Sequence, residues 1–333
     1  MWRWNPGDPR ATSGVPIDSL LTSASLGTDP MLRAAAEAIA EGDLADALPL
    51  LAETRDDPEA RVATVEVLGR AAADRVDELG DLMDTADRAD VLLWLGHALL
   101  TGALRAHGGT AEHKAAEAGL DDARRLLKAA AELRPDDAAP WTALQTVAMG
   151  AGADRETKDL LWTEIHRRAP HLFAAHMGRV RILSPARGGS EEEMFAFAGA
   201  AADTAPEGDP LPAVLALAHA EFLRAEYKRL TAEGTMAFIA DRTLGRLHGE
   251  AVTELFDLAR GWAERAAPHP RDVQAHHLFG WAFHRVGLAD AARWHLTAVG
   301  NLYCDVPWAF FGDPRRQVAR AMEELGVRPG GAG

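Results

Sequence analysis

Residues 272–300, DVQAHHLFGWAFHRVGLADAARWHLTAVG, constrain this chain more than any other stretch. Phe279, Gly280 and Phe283 place a small residue and two aromatics on one helical stripe. Gly287 interrupts the pattern, and Ala292 with Leu296 starts a second stripe. Two amphipathic segments joined by a glycine turn bury their apolar sides by folding onto each other, so the stretch reads as a helical hairpin. The same spacing returns in residues 121–170. There Ala123, Leu127, Ala130 and Pro135 fit a second helix, Trp141, Leu144 and Gly152 the next first helix and turn, and Leu161 and Pro170 its close. Pro135 and Pro170 lie 35 residues apart, near the period of about 34 of one family of helical repeats.

On these residues the chain resembles the tetratricopeptide repeat family. The pattern is a bulky apolar residue before glycine, an aromatic three further on, a turn glycine, and alanine then a large apolar residue on the second helix. The resemblance implies an all-α fold: a right-handed α-solenoid of roughly 14 to 17 helices with no β-sheet. Residues 29–327 are expected to form one repeat domain, preceded by an irregular arm over 1–28 and followed by a flexible tail over 328–333. It also implies a scaffold that binds a protein or peptide partner in a concave groove lined by the first helix of each hairpin. The matching positions in the last repeat are Gln274, His277, Trp281, His284 and Arg285, and aligning the weaker repeats adds His97, His176 and His219. His277, Trp281 and His284 are spaced by four and three, so they share one helix face in any case.

A groove gathering several of the 13 histidines supports a rival reading, a small-molecule- or metal-binding protein or enzyme with a His/Trp/Arg-lined pocket on the same scaffold. Against it stands the ordinary half-buried, hydrogen-bonded histidine. The sequence contains no phosphate loop, no zinc-protease helix, no nucleophile elbow and no calcium loop. No catalytic residue, metal ligand or cofactor is therefore assigned. Members of the family that clamp acidic chaperone tails use basic groove residues, whereas this chain has Thr142, Thr146 and Met149 there, which argues against that subclass.

The hydrophobic share is 47% with only 6% aromatic residues, which suits helices packed through small side chains. Asp and Glu number 50 against 35 Lys and Arg, a net charge of -15, which argues against nucleic acid and anionic membrane surfaces as partners. Arg179, Arg181 and Arg187 are the densest basic positions and read as a solvated helix end. No long apolar run or signal sequence is evident, so the expected setting is the cytoplasm. Cys304, the sole cysteine, is expected to be a small buried side chain.

Local signals mark the elements. Asp29-Pro30 reads as a cap followed by proline at the first helical position, and Ser190 with Glu193 as a capping box. Pro49 would kink its helix unless that helix begins late. Residues 105–117, containing Gly108-Gly109, read as an insertion that delays the second helix, residues 235–247 as a further helix, and Trp2 and Trp4 as indoles packed back on the body. Trp94, Trp141, Trp162, Trp262 and Trp294 are expected in the core. The aromatic stretch 301–311 and a last helix reaching Leu325 are expected to cap the final repeat.

Overall fold

The computed structural model describes residues 15–84, 86–106, 110–236 and 249–330. The described chain is 73% helical and 1% strand. Its α-helices are α1 Ile17–Leu20, α2 Pro30–Glu41, α3 Leu48–Glu53, α4 Pro58–Ala71, α5 Val76–Gly80, α6 Arg88–Arg105, α7 Thr110–Leu133 and α8 Ala139–Gly150. They continue with α9 Arg155–Arg168, α10 Phe173–Leu183, α11 Glu191–Asp203, α12 Ala213–Ala232, α13 Gly249–Ala263, α14 Asp272–Val286, α15 Ala289–Ala298 and α16 Pro314–Leu325. The insertion expected over 105–117 is corrected: α7 already begins at Thr110 and runs unbroken to Leu133, so the second helix is not delayed. Trp2, Trp4 and Gly108-Gly109 themselves lie outside the described residues, as does nearly all of the helix expected over 235–247.

Capping residues set several helix starts. Asp29 accepts from the backbone N–H of Met31 and Leu32, Asp87 from Ala89 and Asp90, and Asp313 from Arg316. Ser190 caps α11 by accepting from Glu193 N–H, while the Glu193 carboxylate turns outward to Arg155 at 3.1 Å instead of reaching back. Only half of the expected capping box is formed. Pro49 sits in the first turn because α3 starts at Leu48, where a missing N–H costs no intrahelical bond.

The even-numbered helices from α2 to α14 pack each on the next, and α7, α9, α11, α13 and α15 lie against their even-numbered predecessors. Small residues permit the close approaches within hairpins. A Cβ on Gly280 would lie 3.1 Å from Leu296 Cδ2, and one on Gly96 only 2.7 Å from Leu127 Cγ. Gly287 ends α14 in the left-handed conformation at φ 77°, where a glycine is favoured.

The apolar core has two parts. One runs from Leu32 to Ala175, and the other joins Ile17 and Leu21 to residues from Phe173 to Val327. Helix α10 belongs to both, with Ala175 in the first and Phe173 and Met177 in the second. Trp94 and Trp262 are buried, and Trp141 and Trp162 are half-buried. Trp294 departs from its expected core place: it is 50% exposed, because it lies on the outward side of the short α15 and meets His276 and His295 by its edge.

The expectation of no β-sheet needs one correction. Thr22–Ser23 (β1) pairs in parallel with Leu302–Tyr303 (β2), and Thr22 N–H donates to Asn301 O at 2.8 Å. Two residues are too short to show period-two patterning. The pair forms because Ile17 and Leu21 are buried with the C-terminal core, laying the first described segment beside the last repeat. Helix α1 packs on α16, and Arg315 Nε donates to Asp18 O. Tyr303, Phe310 and Phe311 pack on this core, and Trp308 is buried in it.

Candidate functional site

Among the described residues, the buried polar and charged side chains are concentrated on the even-numbered helices. Arg61 and Thr64 lie on α4, Asp90 and His97 on α6, Thr142 and Gln145 on α8, His176 and Arg179 on α10, His219 and Glu221 on α12, and His277 on α14. Burying polar groups is unfavourable unless they are paired, so their pairing separates structural groups from candidates for function.

The eight residues chosen from sequence lie on the even-numbered helices: His97 on α6, His176 on α10, His219 on α12, and Gln274, His277, Trp281, His284 and Arg285 on α14. His277 is fully buried; its Nε2 donates to Leu302 O at 3.0 Å and its Nδ1 accepts from Trp308 Nε1 at 3.1 Å. Trp281 is buried and stacked on Phe311. His176 bonds Leu172 O through Nδ1 at 2.9 Å and meets Trp162 edge-on. His219 lies 4.8 Å from the Phe195 ring, and His97 packs under Gly69, with its Nε2 buried and unpartnered. Desolvation holds His97, His176, His219 and His277 down at about 4, so these imidazoles are neutral at physiological pH. His284 and Arg285 remain partly exposed; His284 Nε2 lies 2.9 Å from Glu324 Oε2, and Arg285 is over the Phe311 ring. Gln274 alone of the eight lines the cleft described below.

That cleft, about 220 Å³, lies where α4 meets the start of α14 and the segment after Ser23. Its walls carry Glu66 and Arg70 from α4, Arg271 and Gln274 from the α14 end, and Cys304 and Asp305 beyond β2. Arg271 Nη1 donates to Glu66 Oε2 at 2.8 Å, across 205 residues of sequence. Burial opposes the Arg271 charge, but Glu66 and Glu59 outweigh it and hold the pKa above its ordinary value. Its Nε and Nη2, with Arg70 Nε, are buried N–H groups without hydrogen-bond partners.

Behind the wall, Glu59 accepts the Phe173 backbone N–H and sits 3.9 Å from Arg271 Nε and 3.8 Å from His269 Nε2. Desolvation raises Glu59 to about 7 against the opposing pull of Arg271 and that N–H. Burial likewise raises Asp272 and lowers His269. Burial pushes the Cys304 thiol up to about 12, so it is a protonated thiol rather than a nucleophile. Sequence reasoning missed Glu59, Glu66, Arg70, His269 and Arg271. They occupy no repeat-consensus position and come together where α4 meets the segment entering α14.

A second cluster joins α10 and α12. Arg181 Nε and Arg224 Nη2 lie 3.3 and 3.1 Å from the two oxygens of Glu221, which is wholly buried. Arg187 follows in the turn after α10. The expectation of a solvated helix end is corrected here. Arg179 is buried, with Nη2 2.7 Å from Asp159 Oδ1, Arg181 reaches back to Glu221, and Arg187 Nε is buried without a partner. Arg179 and Arg181 are drawn to carboxylates on the neighbouring helices α9 and α12, which the local sequence does not reveal.

Among the described residues, no three His, Cys, Asp or Glu side chains are placed to hold a metal ion. No helix there is long and apolar enough to cross a membrane. Scans against family models, curated proteins and solved structures find no match to this chain, so the site rests on its own geometry.

Proposed function

We propose that this chain is a tetratricopeptide-like recognition module, a right-handed α-solenoid curved until its ends meet, that binds a protein or peptide segment in the cytoplasm. The carrying observation is the cleft at that meeting point. Its guanidinium N–H groups, carboxylates and the Gln274 amide stand ready to pair with a backbone or a polar side chain, in a volume suited to one or two residues. The repeat spacing of 121–170 and 272–300 and the helix order support the scaffold. The cleft is smaller than the roughly 300–1,000 Å³ typical of small-molecule sites, and its thiol is protonated, which favours recognition over catalysis.

A peptide-display selection against the immobilised full chain tests this reading. Enriched peptides should bind saturably, and Arg70→Ala and Gln274→Ala should each weaken them by roughly tenfold, as expected for loss of a charge-assisted or buried hydrogen bond. If no peptide enriches, or if both folded variants bind as the parent does, the module reading fails.

A further inference from the structure

Two buried acid–arginine clusters in this chain differ in how they are satisfied. At the first, Asp90 accepts from Arg55 Nε at 3.1 Å, from Arg134 Nη1 at 2.6 Å and from Arg61 Nη2. Arg61 Nε also donates to Asp137 at 3.2 Å, and Asp87 pairs with Arg55 and Arg134. Three guanidiniums meet three carboxylates in aligned hydrogen bonds. That is a structural clamp between α4, α6 and the start of α8.

The Glu221 cluster has neither balance nor alignment. Arg181 and Arg224 are close to its oxygens, yet neither oxygen has a hydrogen-bond partner; the groups are near but out of line. Arg187, in the turn after α10, is within electrostatic reach of the same three groups: burial and then the charges of Arg181 and Arg224 lower its pKa, against the pull of Glu221. Its Nε is buried with no partner. Among the described residues, three positive charges therefore act on one negative charge, on a chain whose net charge is -15. Like charges drawn out of water repel, and a structural role would not leave that repulsion uncompensated. The Phe310 ring covers one face of the Arg224 guanidinium at 4.7 Å, which fixes its plane and leaves its edge for another partner. The Arg181 side chain is 28% exposed and that of Arg224 16%, so a ligand can reach both from solvent.

We propose that Arg181, Arg187 and Arg224 form a binding site for a doubly charged oxyanion of the phosphate class, with Glu221 the buried carboxylate whose charge draws Arg181 and Arg224 together. A dianion brings the cluster to neutrality. The planar arginine fork matches tetrahedral oxyanions through paired N–H donors, better than a single ammonium does. The site is independent of the cleft between α4 and α14 and shares no residue with it.

Calorimetric titration of the full chain at pH 8 and about 150 mM sodium chloride tests it, a salt level at which loose surface attraction is screened. Inorganic phosphate and sulfate should each give saturable one-to-one binding, and nitrate, a monoanion, should not. Arg187→Ala should weaken phosphate binding at least about tenfold, the loss of one charge-assisted contact, with helicity by circular dichroism unchanged. Arg224→Lys keeps the charge but loses the fork, and should weaken binding several-fold; it carries the comparison if the alanine variant does not fold. Glycerol phosphate binding more tightly than inorganic phosphate would identify an ester as the ligand, and the reverse order the free ion. Absence of saturable phosphate binding, equal binding of nitrate, or unchanged affinity in the folded variants would overturn the proposal.

Discussion

Glu59 is the residue whose chemistry is most displaced by the fold. Burial raises its folded pKa to about 7 from the ordinary 4.5, so between these values the folded chain holds a proton that the unfolded chain has released. Its contribution to stability therefore falls as pH rises from about 4.5 to 7 and is constant above that. Glutamine imitates the protonated side chain. Glu59→Gln should raise stability by about 1–3 kcal/mol at pH 8, since each tenfold change in proton affinity is worth about 1.4 kcal/mol, and change it little at pH 4.5. Denaturant titrations at the two pH values decide it: an equal effect at both would show that ionisation is not what the substitution relieves. Nothing around Glu59 in sequence announced this, because its partners Phe173, His269 and Arg271 lie more than a hundred residues away. Cys304, expected as a small buried side chain, is only half-buried and lines the cleft.

At the scale of helices, glycine has opposite meanings in two places. Gly96 is on α6 where α7 crosses it, and a Cβ there would collide with Leu127 at 2.7 Å. Gly199 is inside α11 with nothing within 4 Å of the same position. Gly96→Ala should therefore destabilise by about 1–3 kcal/mol through overpacking. Gly199→Ala should stabilise by about 0.5–1 kcal/mol through helix propensity. Thermal melts of the two variants should move in opposite directions, and a shared direction would contradict the packing described here. The stripe of Phe279, Gly280 and Phe283 was readable because contact within a hairpin is local and repeats with a fixed spacing. The same locality explains why the hairpins at 121–170 and 272–300 were legible and the pairing of Glu66 with Arg271, across 205 residues, was not. Repeat spacing says which residues share a helix face, but how far successive hairpins curve decides whether that face is open. Here His277 and Trp281 face the closing segment after β2 and are buried by it.

For the whole molecule, the buried histidines set acid sensitivity. His97, His176, His219, His276 and His277 are held at about 4 and His295 at about 3, mainly by desolvation. An unfolded histidine titrates near 6.5. Between that value and the folded one the unfolded chain binds more protons, so stability is complete above about 6.5 and is lost progressively as pH falls toward 4. Each imidazole contributes on the order of 1.4 kcal/mol per pH unit across that window. The six together outweigh Glu59, which acts in the opposite sense. The chain should lose its helical signal cooperatively near pH 5, a midpoint that a circular-dichroism acid titration locates; a fold persisting at pH 4 would show that these rings are charged in place.

The parallel pairing of Thr22–Ser23 with Leu302–Tyr303 gives this chain a mechanical property that an open repeat array lacks. Open arrays hold each unit by its neighbours alone and can be peeled from either end. In this chain the first strand leads back toward the N-terminus and the second onward toward the C-terminus. Tension between Thr22 and Tyr303 therefore runs along the strands, and their hydrogen bonds are loaded together in shear rather than opened one by one.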